Sequence, residues 1–145
     1  MYMLNKAIQI AVKAHEGQVD KGGNPYILHP LRVMLSCNSE IERICAVLHD
    51  VVEDTPVTFE DIREQGFSDE IVNALGCLTR HKGESYDDFI RRVLKNKIAC
   101  SVKLADLADN MDLTRISSPT DKDERRIKKY KKAFYKISEA LTAVK

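Results

Sequence analysis

The sequence predicts an all-α fold, a compact single-domain bundle of about eight helices. Apolar residues recur at spacings of three and four along most of the chain, as they do on amphipathic helices. No stretch alternates apolar and polar residues over five or more positions with β-branched enrichment, so no strand is predicted. With 145 residues, 43% of them apolar, the chain is long enough to bury one core, and we expect residues 1–145 to form one domain.

Two helices are predicted on either side of an N-terminal loop. The first covers residues 3–16, where the apolar side chains form a stripe. The segment "GQVDKGGNPY", with three glycines and a proline, interrupts this stripe and predicts a loop over 17–27. Pro30 has no backbone N–H, which the first turn of a helix leaves unused, so it favours the first turn of a second helix that ends near Cys37.

Capping motifs predict the starts of the next three helices. In each motif a serine or threonine precedes an apolar stripe and can accept a hydrogen bond from a backbone N–H of the first turn. These residues are Ser39, with Glu42 completing a capping box; Thr58, with Asp61 as the acid; and Ser68, before apolar residues at 71, 72, 75 and 78. We expect the helix after Ser39 to run unbroken to about Val52, and the helix after Thr58 to end near Gln65.

The rest of the chain is predicted to be helical as well. The segments "ESYDDFIRRVLKN" and "IACSVKLADLADNMDLT" form the sixth and seventh helices, and a long last helix covers 121–143. Residues 122–136 within this last helix are strongly basic. Such a segment is either a solvated helix face or a patch for anionic substrates, and both interpretations stay open at this point.

Composition bears on partners and on location. Lysine and arginine total 23 against 22 acidic residues, so the net charge of +1 provides no long-range attraction for nucleic acid or for an anionic membrane, and we expect neither partner. The four cysteines form no C-x-x-C pair, and neither a signal peptide nor a run of 18 apolar residues is recognised. We therefore expect reduced thiols and a cytoplasmic location.

Four residues with metal-binding side chains lie in apolar surroundings. His29 is at the start of the second predicted helix, His49 and Asp50 follow an apolar run, and Asp106 is flanked by leucines and alanines. A carboxylate in such surroundings costs several kcal/mol unless it is paired or bound to a cation. Two imidazoles and two carboxylates on three helices therefore favour a mixed nitrogen and oxygen site for a first-row divalent metal. The alternatives are a structural His29 and a solvated acidic helix end.

Three blocks of the sequence resemble the HD phosphohydrolase superfamily, whose signature is H…HD…D. The blocks "AHEGQVDKGGNPYILHPLRVM", "AVLHDVVEDT" and "VKLADLADNMDL" are similar to the hydrolase domain of the RelA/SpoT stringent-response enzymes and their small single-domain relatives. The family pattern is P-Y-x-x-H-P, then H-D-x-x-E-D-T, then K-x-A-D-x-x-x-N. The resemblance covers about residues 4–115 in the family's order and spacing.

The resemblance implies roles for six residues. It implies that a single metal ion, Mn²⁺ or another first-row divalent cation, is bound by His29, His49, Asp50 and Asp106. It makes Glu53 and Asp54 the catalytic pair. On an unbroken helix, Glu53 returns to the side of Asp50, three residues earlier, where a carboxylate can orient a water molecule or take its proton.

Substrate contacts are expected from the same blocks. The residues concerned are Lys21, Lys103, Asn110, Asp20 and Tyr26, with Arg32 as a further cation that could face an anion. The resemblance implies that Asn110 lies beside the sugar or a phosphate of the substrate. Lys103 could instead extend from a helix edge into solvent, and Tyr26 could simply close its loop.

The chain departs from the family pattern at three positions. Asp20 stands where the ppGpp hydrolases have an arginine that stacks on guanine; an acid there could hydrogen-bond a base edge or pair with Lys21. Leu107 and Asp109 stand where the family commonly has arginine and histidine.

Together these features predict an enzyme, a metal-dependent phosphohydrolase for a small-molecule nucleotide. The first hypothesis is hydrolysis of the 3′-pyrophosphate of guanosine 3′,5′-bis(diphosphate), ppGpp. The alternative within enzymes is a phosphatase for NADPH or a deoxynucleotide. A non-catalytic nucleotide-sensing module and a purely structural bundle are hypotheses from other classes, and the oligomeric state is left open.

Overall fold

The computed structural model describes residues 2–115 and 118–143, and within them the chain forms nine α-helices and no strand. The helices are α1 Tyr2–Ala14, α2 Leu28–Leu35, α3 Glu40–Leu48, α4 Val51–Asp54, α5 Phe59–Glu64, α6 Asp69–Leu78, α7 Tyr86–Leu94, α8 Lys97–Asn110 and α9 Asp121–Ala143, with a 3₁₀ turn at Leu113–Arg115. The prediction of an all-α bundle of about eight helices is confirmed.

Helix α3 lies at the centre of the bundle. Its last five residues, 44–48, are all buried, and it packs against α1, α2, α6 and α8. The segment 44–48 is apolar on every side and cannot face water without exposing large side chains, so this half of α3 takes the central position. Burying a side chain such as Leu48 contributes roughly 1.5–3 kcal/mol. In the described ranges no helix is both long and apolar enough to cross a membrane.

The predicted capping motifs are formed. Ser39 Oγ accepts a hydrogen bond from the N–H of Glu42, whose side chain accepts one from the N–H of Ser39. Thr58 and Asp61 make the same reciprocal pair, and Ser68 caps α6. These side chains satisfy N–H groups that have no partner within their own helix, which fixes where each helix begins.

The helix after Ser39 does not run unbroken to Val52, and that prediction is wrong. Helix α3 ends at Leu48, and α4 begins at Val51 after a turn formed by His49 and Asp50. In a continuous helix the carbonyl of Ala46 would accept the N–H of Asp50. Here that carbonyl receives the backbone N–H of His49 at 3.4 Å and is 2.5 Å from its ring Nδ1. His49 and Asp50 therefore lie in the turn between α3 and α4 and not within a helix.

The loop over 17–27 is formed as predicted, and one acid organises it. Asp20 Oδ1 accepts hydrogen bonds from the N–H groups of Gly22 and Asn24, each at 2.9 Å. A short bridge joins Val19 to Pro25 across the loop. The seventh helix was predicted to extend to Thr114, but the corresponding helix α8 ends at Asn110.

Candidate active site

Four of the predicted site residues meet in one place. His29 comes from α2, His49 and Asp50 from the turn after α3, and Asp106 from α8. One nitrogen or oxygen atom of each lies within 4.8 Å of the others. The residues are buried or nearly so, with His29 5%, His49 3% and Asp106 3% exposed.

Asp106 lies between the two imidazoles. Its Oδ1 is 2.9 Å from Nε2 of His29 and 3.1 Å from Nε2 of His49. Asp50 Oδ2 is 3.1 Å from the same nitrogen of His49 and 3.7 Å from that of His29. Two ring nitrogens and two carboxylate oxygens therefore face a common point.

The outer ring nitrogens fix how the imidazoles are turned. Nδ1 of His29 is 2.6 Å from Asp109 Oδ2, and Nδ1 of His49 is 2.5 Å from the carbonyl of Ala46. Both acceptors are oxygens, so each Nδ1 carries a hydrogen and donates it. Both Nε2 atoms are thereby directed towards the carboxylates, which is the arrangement of histidine ligands held by outer hydrogen bonds.

The electrostatics of the cluster favour positive charge at its centre. Burial lowers the pKa of His49, but the charges of Asp50 and Asp106 outweigh burial and raise it well above its usual value. Burial raises the pKa of Asp50, but the His49 charge outweighs this and lowers it to about 2. The carboxylates are thus ionised and hold protons on the rings. A divalent cation could replace those protons, and two nitrogens with two oxygens suit a first-row divalent metal.

Asp109 is a site residue that the sequence reasoning did not assign. Besides its contact with His29, it accepts hydrogen bonds from Nε of Arg32 at 2.7 Å and from an outer guanidinium nitrogen at 3.0 Å. Arg32 therefore faces Asp109 and not an open cleft, contrary to our expectation. The spacing of three residues from Asp106 on one helix was the signal that could have indicated this position.

The expected catalytic pair lies beside the cluster. One oxygen each of Asp50, Glu53 and Asp54 lies within 4.8 Å of the others. Glu53 Oε1 accepts the backbone N–H of Arg80 at 2.7 Å. Burial, followed by the charges of Asp50 and Glu53, raises the pKa of Asp54 to about 6. Since α4 is a separate turn, it is this turn and not a continuous helix that brings Glu53 near Asp50.

Three of the expected substrate contacts bind the cluster's carboxylates. Lys103 Nζ is 2.8 Å from Asp106 Oδ2 and its side chain is only 12% exposed, so it points into the cleft and not into solvent. Asn110 Nδ2 donates to Asp106 Oδ1 at 3.2 Å. The hydroxyl of Tyr26 donates to Asp50 Oδ2 at 2.5 Å. Burial, and then the Asp50 charge, raise the pKa of Tyr26, so this hydroxyl keeps its proton.

The other two expected contacts lie on the N-terminal loop. The side chain of Asp20 lines a cavity, but its Oδ1 is occupied by loop N–H groups. Lys21 is 58% exposed, and its Nζ is 3.9 Å from Asp123 Oδ1. Of the two alternatives for Asp20, the pair with Lys21 is not formed; Lys21 approaches the last helix instead.

Two cavities meet at this cluster. The smaller cavity, of about 240 Å³, is lined by the four clustered residues together with Glu53 and Asp54. The larger, of about 390 Å³, lies between the N-terminal loop, the end of α8 and α9. Helix α9 contributes Arg126 and Tyr130 to the larger cavity and Lys129 and Tyr130 to the smaller one. Part of the basic segment therefore faces the site.

Known proteins with similar sequences support a family assignment. No protein-family profile matches the chain. The bifunctional (p)ppGpp synthase/hydrolase SpoT of Escherichia coli K12 is 34% identical over 123 residues, which cover 74% of this chain and 17% of that protein. The guanosine-3′,5′-bis(diphosphate) 3′-pyrophosphohydrolase of Haemophilus influenzae is 35% identical over 116 residues, 70% of this chain and 17% of that protein. The chain thus matches about one sixth of the length of these relatives.

One solved structure aligns with this chain over most of its own length. It is a metazoan ortholog of SpoT, described as hydrolysing ppGpp and playing a role in starvation responses, and it is 27% identical with a TM-score of 0.76. The alignment covers 97% of this chain and 86% of that one. The chain belongs to the HD-domain family of these proteins. The resemblance inferred from the three sequence blocks is confirmed.

This HD-domain protein differs from the family pattern at three positions, and the structure explains two of them. Leu107 is fully buried in the core, so the arginine that the family commonly has there is replaced by an apolar contact. Asp109 replaces the family's histidine and accepts hydrogen bonds from His29 and Arg32. The structure gives no reason why Asp20 and not arginine occupies its position, beyond its bonds within the loop.

Proposed function

We propose that the protein is a metal-dependent phosphohydrolase that removes pyrophosphate from the 3′ position of ppGpp. The observation that carries this proposal is the convergence of His29, His49, Asp50 and Asp106, with Glu53 and Asp54 beside them. The activities for which the similar proteins are named, ppGpp hydrolysis among them, agree with it.

The four converging residues would hold one divalent cation, for which we propose Mn²⁺. Such a cation, when bound, lowers the pKa of a water molecule and offsets negative charge on phosphoryl oxygens. His29 and His49 would contribute Nε2, because their Nδ1 atoms are engaged by Asp109 and Ala46.

Asp54 and Glu53 would handle the attacking water. With a pKa of about 6, Asp54 is mostly ionised at neutral pH and can still accept a proton, as a general base must. Glu53 is held by the N–H of Arg80 and would orient the same water. The water oxygen bonds to the phosphorus next to the 3′ oxygen while the bond between those two atoms breaks. The 3′ oxygen takes a proton, leaving guanosine 5′-diphosphate and pyrophosphate.

The larger cavity would take the nucleoside. Tyr26 and Tyr130 provide aromatic surface there, and Asn110 lies where the two cavities join. Lys21 and Asp20 line the same space and would contact the base or the 5′-phosphates, while Lys103 would act next to the reacting phosphate.

A cytoplasmic location is part of the proposal; the cysteines Cys37, Cys45, Cys77 and Cys100 are all free thiols.

The test is hydrolysis by Mn²⁺-loaded protein of ppGpp, NADPH and a set of deoxynucleotides, with products resolved by ion-exchange chromatography. We expect ppGpp to yield guanosine 5′-diphosphate and pyrophosphate. Loss of phosphate from NADPH or a deoxynucleotide, with ppGpp intact, would refute the substrate. Binding of ppGpp without any turnover would favour the sensing module. Asp106→Asn should abolish activity, whereas Asp88→Asn, at an exposed pair on α7, should retain it.

A further inference from the structure

Two cations on the wall of the smaller cavity stand out by their lack of a carboxylate partner. Among the described residues that line either cavity, every other lysine or arginine has an acid within 4 Å: Lys103 has Asp106, while Lys21 and Arg126 both approach Asp123. Arg80 and Lys129 have none. Their positive charges therefore face the cavity without being neutralised by the protein.

The ring of Tyr86 contacts both of these cations. Lys129 Nζ lies 4.4 Å from the centre of the Tyr86 ring, and the guanidinium carbon of Arg80 lies 5.7 Å from it. Arg80 follows α6 and Lys129 is on α9, so the tertiary fold and not the local sequence pairs them. The Arg80 side chain is steadied by a hydrogen bond from Nε to the carbonyl of Glu84 at 3.0 Å.

The two cations repel each other unless an anion is present. Burial, followed by the charges of Arg80, Lys103 and Arg126, lowers the pKa of Lys129. A doubly or triply charged anion between Arg80 and Lys129 would remove this repulsion and gain charge-assisted hydrogen bonds from both.

Glu53 relates this pair to the reaction centre. One oxygen of Glu53 lies within 4.8 Å of an Asp50 oxygen, and its Oε1 accepts the N–H of Arg80. The backbone of Arg80 is thus separated from the cluster by a single carboxylate side chain. Both cations also line the cavity of about 240 Å³ that the four clustered residues line, so one anion in this cavity can approach the cluster and the two cations together.

We propose that Arg80 and Lys129 bind the outer phosphate of a diphosphate group whose inner phosphorus is attacked at the cluster. The inference rests on the proposed function and adds a preference: diphosphate esters are selected over monophosphate esters. At the cluster itself Lys103 is already paired with Asp106, so besides the proposed metal ion a monophosphate would find no side-chain cation without an acidic partner there. The outer phosphate supplies the additional binding energy.

The experiment compares the binding of pyrophosphate and of inorganic phosphate to Mn²⁺-loaded protein by titration calorimetry, with free Mn²⁺ held constant throughout. Wild-type protein should bind pyrophosphate at least tenfold more tightly. Arg80→Gln and Lys129→Gln should each weaken pyrophosphate binding about tenfold and phosphate binding less than about twofold, as expected for a hydrogen bond to a charged group. Lys132→Gln, exposed on the same helix outside both cavities, should leave both affinities unchanged.

The outcomes separate this inference from the proposed function. Equal losses for phosphate and pyrophosphate, or no loss in either variant, would overturn it. If ppGpp is not hydrolysed but pyrophosphate preference still depends on Arg80 and Lys129, the diphosphate site stands and the substrate assignment fails. Where ppGpp is hydrolysed, both variants should raise KM more than they lower kcat. Arg80→Gln retains the backbone N–H to Glu53, so its effect reports the guanidinium alone.

Discussion

The carboxylate of Asp109 accepts a hydrogen bond from Nδ1 of His29 across 2.6 Å, although the two residues are 80 positions apart in the chain. This contact decides which nitrogen of His29 faces the cluster. Arg32 holds the carboxylate in place from its other side through two hydrogen bonds. Burial raises the pKa of Asp109, but the hydrogen bonds from His29 and Arg32 outweigh it, so the net shift is downwards and the group stays ionised.

Replacing Asp109 by alanine should weaken Mn²⁺ binding by about 10–100-fold, because the His29 ring loses the acceptor that orients it. Asp109→Asn should have a smaller effect, since its amide oxygen can still accept from Nδ1. Metal affinity is measured by competition with a fluorescent chelator. Asp88→Ala, which removes an exposed carboxylate of α7, serves as the control. Wild-type affinity in Asp109→Ala would show that the contact does not position the ligand.

Metal affinity should increase with pH. In the metal-free protein the pKa values of His29 and His49 are raised, so both rings hold extra protons near neutrality that a metal must displace. Titrations in two buffers of different ionisation enthalpy, between pH 6 and 8, count the protons released on binding. We expect the number of protons released on metal binding to decline as pH rises. Binding without proton release throughout this range would contradict protonated rings.

The metal-free protein should lose stability as pH rises above 6.5. The folded pKa of His49 lies well above its usual 6.5, so the stabilisation from its protonated form is complete below 6.5 and is lost as pH passes through the folded value. Thermal unfolding with a chelator present should give a falling Tm over this range. Saturating Mn²⁺ should flatten the curve, because the metal takes the place of the protons; parallel curves with and without Mn²⁺ would argue against this.

Activity should fall on the acid side as Asp54 is protonated. Its pKa is raised from 3.8 to about 6, and only the ionised form can accept a proton, so kcat should drop as pH decreases through about 6. Asp54→Asn should lower kcat by about 10²–10⁴-fold, the usual contribution of a general base. Its Mn²⁺ affinity should stay near that of wild type. A variant that loses metal and activity together would instead make Asp54 a ligand.

Removing the capping box should destabilise the fold without affecting chemistry. Ser39→Ala should lower the free energy of unfolding by about 1 kcal/mol, because the N–H of Glu42 loses its acceptor. Urea unfolding measures the change. Ser36→Ala, which removes an exposed hydroxyl that donates to the carbonyl of Arg32, should change stability by less than about 0.5 kcal/mol. Similar losses of unfolding free energy in both variants would show that the Ser39 cap stabilises the fold no more than an exposed serine hydroxyl does.

The sequence by itself determined where most of the helices begin and which four residues, His29, His49, Asp50 and Asp106, are candidate metal ligands. Apolar spacing and the motifs at Ser39, Thr58 and Ser68 act between residues three or four positions apart, so they can be read without knowing the fold. The candidate metal ligands could be identified by their chemical type, because imidazoles and acids in apolar segments need a partner or a cation.

Only the tertiary structure decided how these residues are arranged. The pairing of Arg80 with Lys129 depends on how α9 docks beside Tyr86. The contact of Arg32 with Asp109 joins positions 77 residues apart. Such contacts leave no periodic signal in the chain, because they are set by the packing angles and depths of whole helices and not by the spacing of residues within one.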